Sequence, residues 1–141
     1  INRFDNISQE ITISNIVSVN KTTFYYVDCG TLSLGNTTYI LDRNLSSNGV
    51  CFTIGAHNIT IDGAGYTIDY SKLGNGAGIN NTGGFDNITI KNITIIQKNN
   101  TALGIANYGI NAINMSNSTI MNVTINLSDP VARGISIESY F

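Results

Sequence analysis

His57-Asn58-Ile59-Thr60-Ile61-Asp62-Gly63 returns as Asp86-Asn87-Ile88-Thr89-Ile90-Lys91-Asn92, and again as Ser116-Asn117-Ser118-Thr119-Ile120-Met121-Asn122. The spacing of the shared asparagine is 29 and then 30 residues. Recurrence at a fixed period of this length is the mark of a stacked repeat architecture. Each copy is followed by a second strand-like segment: Tyr66-Thr67-Ile68-Asp69, Ile93-Thr94-Ile95-Ile96 and Val123-Thr124-Ile125-Asn126. Each is preceded by a third: Gly49-Val50-Cys51-Phe52-Thr53-Ile54, Gly76-Ala77-Gly78-Ile79-Asn80 and Tyr108-Gly109-Ile110-Asn111-Ala112-Ile113. A further member of the third type, Arg133-Gly134-Ile135-Ser136-Ile137, opens one more coil.

Alternation within a strand puts Ile59 and Ile61 on one face and Asn58, Thr60 and Asp62 on the other. The connections are too short for the crossover helix of a βαβ unit. Three strands per period, each stacked on its equivalent in the next coil, describe an all-β parallel β-helix of about three coils. Inward Ile then forms aliphatic columns, and Asn at equivalent turns forms ladders. That accounts for 23 Ile and 21 Asn in 141 residues. An antiparallel sandwich would give no such recurrence.

Residues 1–48 do not follow the period. Glu10–Ser14 and Thr38–Asp42 alternate like strands, with Phe24-Tyr25-Tyr26 between them. The chain therefore divides into an N-terminal cap with first strands (1–48) and parallel coils with an open C-terminal end (49–141). The sequence begins at Ile1 without a charged, apolar leader, which reads as a processed form or part of a longer protein. The strand pattern runs to Phe141 without a turn, which predicts a chain that continues or an edge that pairs.

Charged residues are 11% and the net charge is −2, which excludes the basic footprint of a nucleic-acid binder. No apolar run approaches the roughly 18 residues of a membrane span. Cys29 and Cys51 read either as a bridge tying cap to coil in an oxidising compartment or as two buried thiols. Two Cys and one His make no zinc set.

The string Cys29-Gly30-Thr31-Leu32, Thr38-Tyr39-Ile40-Leu41, Gly49–Ile54 and Asn58–Ile68 resembles the first coils of exported right-handed parallel β-helix proteins of archaeal cell surfaces. These are the relatives with NosD-like or pectate-lyase-like helix repeats. The resemblance covers roughly residues 26–137. It implies right-handed winding, export to the cell surface and a Cys29–Cys51 bridge; it implies little about activity, since this fold hosts lyases, hydrolases, adhesins and surface layers.

Thirteen N-x-[ST] sequons occur, where about four are expected by chance from the Asn, Ser and Thr content. Asn6, Asn20, Asn36, Asn44, Asn80, Asn99, Asn114 and Asn126 read as glycosylation sites. Asn58, Asn87, Asn92, Asn117 and Asn122 sit in the repeated register, where ladder grammar alone writes the same pattern.

No catalytic constellation stands out. The family-style Asn-Thr-Asp would fall at Asn81-Thr82-Gly83, which lacks its carboxylate. Asp62, Asp69 and Asp86 read as turn and surface residues, Lys91 and Arg133 as isolated, and His57 as a hydrogen-bonded turn residue. His57, Met115 and Met121 do not repeat in register, so no metal or other cofactor is expected. Gly63-Ala64-Gly65 and Gly74–Gly78 precede no helix and read as turns rather than phosphate loops. Tyr25, Tyr26, Tyr39, Tyr66, Tyr70 and Tyr108 read as outward aromatics, suited to packing across coils or to stacking on sugars.

The expectation is a non-catalytic, glycosylated extracellular structural protein that stacks head to tail with copies of itself into a filament or layer. A carbohydrate-binding module and a polysaccharide lyase or hydrolase are the alternatives. Loss of sugar binding on Tyr66→Ala or Tyr108→Ala would mark the first, and release of reducing ends or unsaturated products the second.

Overall fold

The computed structural model describes residues 23–98 and 107–140. All regular structure in them is β, wound as a parallel solenoid of about three turns. Three faces repeat along the axis. The first face carries β1 (Thr23–Tyr26), β3 (Thr37–Ile40), β6 (Ile59–Asp62) and the first half of β9 (Ile88–Gln97). The second carries β4 (Leu45–Ser46), β7 (Thr67–Tyr70) and the second half of β9. The third carries β2 (Gly30–Leu32), β5 (Phe52–Ile54), β8 (Ala77–Asn81), β10 (Tyr108–Ile113) and β12 (Arg133–Glu138). The last rung of the first two faces is β11 (Thr119–Asn126), parallel to β9.

The inward columns follow the expected alternation. Tyr39, Ile61, Ile90 and Ile120 stack on the first face. Leu45, Ile68, Ile95 and Ile125 stack on the second. Phe52, Ile79, Ile110 and Ile135 stack on the third. Ile61, Ile68, Ile79 and Ile110 are fully buried, and each such side chain contributes about 1.5–3 kcal/mol of hydrophobic stabilisation.

Single asparagines turn the corners. Asn36, Asn58, Asn87 and Asn117 precede the first-face strands and all hold left-handed backbone, with φ between 49° and 59°. Asn tolerates that region better than other residues with a side chain. Asn92 (φ 53°) and Asn122 (φ 51°) do the same between the first and second faces. One residue suffices there, so the two strands expected in each of these coils merge into the continuous β9 and β11. The earlier coil makes the same corner with Gly63-Ala64-Gly65. Gly63 is required because a Cβ there would lie 2.4 Å from the Asn92 carbonyl oxygen in the coil that follows.

Residues 23–48 stack in the same register, with Thr37 opposite Ile59 and Gly30 opposite Phe52. Their spacing to the next coil is 22 residues rather than 29, which hides them from a period search. The aromatic patch at residues 24–26 is part of β1. Of the cap and first strands assigned to residues 1–48, residues 1–22, with the strand expected at Glu10–Ser14, lie outside the described residues.

Two of the aromatics read as outward point inward. Tyr39 is 6% exposed, its hydroxyl accepting the Leu34 N–H at 3.0 Å, and Tyr70 is fully buried. Both occupy the inward phase of their strands, which alternation from Ile61 and Ile68 dictates.

Candidate functional site

Cys29 and Cys51 form a disulfide between like positions of consecutive rungs, with Cα atoms 4.6 Å apart. That separation matches the spacing of adjacent strands, and Gly30 N–H donates to the Cys51 carbonyl beside it. The covalent link thus staples β2 to β5 along the helix axis.

Ten of the thirteen sequons fall in described residues; Asn6, Asn20 and Asn99 lie outside them. Seven of the ten, namely Asn36, Asn58, Asn87, Asn92, Asn114, Asn117 and Asn122, are corner residues with positive φ. In the first- and second-face corners the next residue turns inward and the Ser or Thr two positions on faces outward, so the corner itself writes N-x-[ST]. Asn36 and Asn114, read from the sequence as glycosylation sites, are among these corner residues. Three sequons owe nothing to a corner: Asn44 beside β4, Asn80 in β8 and Asn126 at the end of β11. Asn44 and Asn126 are exposed and Asn80 is half-buried. Asn44 Oδ1 accepts the Thr67 N–H at 2.9 Å, a bond that a substituent on its nitrogen leaves intact.

The polar groups near the corners hold rungs together. Asn122 Nδ2 donates to Asn92 Oδ1, and Asn92 Nδ2 to Asp62 Oδ1, each at 3.2 Å. Lys91 is not isolated: its Nζ lies 3.4 Å from Asp62 Oδ2. Burial pushes the Asp62 carboxyl up, but the Ala64 N–H, the Asn92 amide and Lys91 outweigh it and hold the group below its ordinary value. His57 Nδ1 accepts the Asp86 N–H at 2.9 Å, and Asp86 Oδ1 accepts the Ser116 N–H at 2.8 Å. Asp69 pairs with Lys98 at 3.5 Å. Among the described residues, no three His, Cys, Asp or Glu side chains converge as a metal site.

The C-terminal end of the stack differs from everything before it. Ile90, Ile95, Ile110 and Ala112 are at most 1% exposed. One rung on, Ile135 is 48% exposed and Ile137 50%, with Met121, Val131 and Leu127 also open to solvent. Ile135 and Ile137 are in the same columns and phase as the buried Ile110 and Ala112, and among the described residues no further rung covers them. Met121 instead faces outward, in register with Lys91. Which apolar side chains the last described rung bares came only with the register.

Comparison with family models, with curated proteins and with solved structures finds no match for this chain. The parallel solenoid itself is in accord with the resemblance to surface β-helices, and nothing narrower is supported. Among the described residues, no helix is long and apolar enough to cross a membrane.

Proposed function

We propose that this chain is a non-catalytic structural element of the cell exterior, built like the right-handed surface β-helices it resembles, whose open end stacks on a second copy. The observation that carries the reading is the aliphatic end formed by Ile120, Val123, Ile125, Ile135 and Ile137. A parallel stack has two unlike ends, so a copy that adds to one end presents the same end again. Such a head-to-tail contact does not close and generates filaments. Among the described residues β12 is an edge strand, and its outer edge supplies backbone donors and acceptors for the same contact. The disulfide suits an oxidising, extracytoplasmic location.

The acidic and basic groups weighed for catalysis are engaged in ladders, ion pairs and backbone caps, which supports a structural role. Glycans fit best at Asn44, Asn126 and Asn80. Neighbouring corner asparagines such as Asn87 and Asn117 sit one rung apart, roughly 4.8 Å, too close for both to carry one.

Sedimentation velocity over a rising concentration series tests the assembly. The reading expects growing polymers, lost in Ile137→Asp while circular dichroism and melting of the dilute protein stay unchanged. A wild-type protein that sediments as one small species throughout would overturn it.

A further inference from the structure

The third face carries a groove that the assembly reading does not use. Its outward column runs Thr31, Thr53, Asn80, Asn111 and Ser136, one residue per rung. Two amides one above the other interrupt a column of hydroxyls. Beside them lies an open cavity of about 240 Å³, lined by Val50, Asn75, Ala77, Asn80, Tyr108 and Asn111.

Three features define what fits. Tyr108 pairs in register with Ala77 on one side and Arg133 on the other. The Arg133 guanidinium carbon sits 6.0 Å from the ring centroid, a cation–π contact that holds the ring in place. On the Ala77 side a methyl replaces a long side chain, and the cavity occupies the room this leaves. The ring thus offers apolar surface at one edge of the groove. The Asn80 and Asn111 amides are spaced by one rung, about the width of a pyranose ring, and each can both donate to and accept from hydroxyls. The volume lies below the roughly 300–1,000 Å³ of sites for larger ligands, and the described lining side chains carry no charge.

We infer that this groove seats a single neutral pyranose ring, stacked on Tyr108 and hydrogen-bonded by Asn80 and Asn111. The ring can belong to an external glycan or to a glycan on Asn80 itself, whose Nδ2 donates to Thr82 Oγ1 at 3.3 Å within its own sequon.

Unglycosylated full-length chain labelled with ¹⁵N, titrated with N-acetylglucosamine, glucose and glucuronate, tests the seat. Saturable shifts at the Asn80, Tyr108 and Asn111 resonances are expected for a neutral sugar, with a Kd on the order of millimolar. Tyr108→Ala should weaken binding at least about tenfold, while Tyr108→Phe, which keeps the ring, should retain it and report an intact fold. The absence of saturable shifts up to roughly 100 mM sugar, or shifts indifferent to Tyr108→Ala, would overturn the inference, as would glucuronate binding as well as the neutral sugars. Peptide mass spectrometry on protein from a glycosylating host separates the sources. A sugar on Asn80 that closes the groove to added ligand upholds the seat for the chain's own glycan. An unmodified Asn80 beside a titratable groove upholds it for an external one.

Discussion

Compare the rung of β9 and β10 with the rung of β11 and β12. Both alternate Ile with polar residues and both turn at an asparagine with positive φ, Asn92 in one and Asn122 in the other. In the inner rung Ile90, Ile95 and Ile110 are almost wholly buried; in the outer rung the stacked equivalents Ile120, Ile125 and Ile135 are half-buried or exposed. The difference teaches that a strand's sequence in a solenoid is written for two neighbours, one on each side. The outer rung is composed as an interior one, and its second neighbour is what the proposed assembly provides.

The sharpest way to break this comparison is to truncate matched positions. Ile90→Ala should cost about 2–5 kcal/mol in denaturant unfolding of dilute protein, whereas Ile135→Ala should cost under about 1 kcal/mol, because half of that side chain already faces water. Equal costs would mean that the outer rung is covered in the dilute protein. Next in size is the staple at the other end of the stack. Replacing both Cys29 and Cys51 by Ser should remove about 2–4 kcal/mol on the loop-closure argument for a separation of 22 residues. The loss should leave assembly through β12 untouched, which sedimentation would show.

The repeat was legible wherever corner, inward column and outward column recur together, as in Asn58–Asp62 and Asn87–Lys91. Asn36-Thr37-Thr38 carries the same corner-inward-outward order, but the 22-residue coil and an inward Thr37 conceal it. The inward direction of Tyr39 and Tyr70 follows from strand phase, which aromatic character alone does not reveal. The groove was hidden for another reason: Asn80, Asn111 and Tyr108 are ordinary residues until register places them on neighbouring rungs.

A smaller effect separates the two kinds of sequon. Asn87→Ala should cost about 1–2 kcal/mol, since alanine pays the full strain of the left-handed corner. Asn126→Ala, which has no such corner to hold, should change thermal unfolding by less than about 0.5 kcal/mol.

Smallest are the titrations. Asp62 is held below its ordinary value, so its contribution is present above the unfolded pKa of about 4 and is lost as pH falls through the lower folded value. Asp62→Asn should flatten the acid limb of a stability profile. Burial, reinforced by Asp129, raises the Tyr70 hydroxyl. Its contribution is therefore full below about pH 10 and lost as pH rises toward the folded value. Among the described residues that hydroxyl has no hydrogen-bond partner. Tyr70→Phe should therefore keep or slightly raise neutral-pH stability and extend the alkaline limb.

The central claim, that the open rung takes a second copy, is tested most directly by electron microscopy of the full-length protein beside Ile135→Asp/Ile137→Asp. Filaments with an axial spacing near 4.8 Å running unbroken across the junction between copies, and absent from the variant, are the predicted result. Discrete wild-type particles at every concentration, or filaments that persist in the variant, would contradict it.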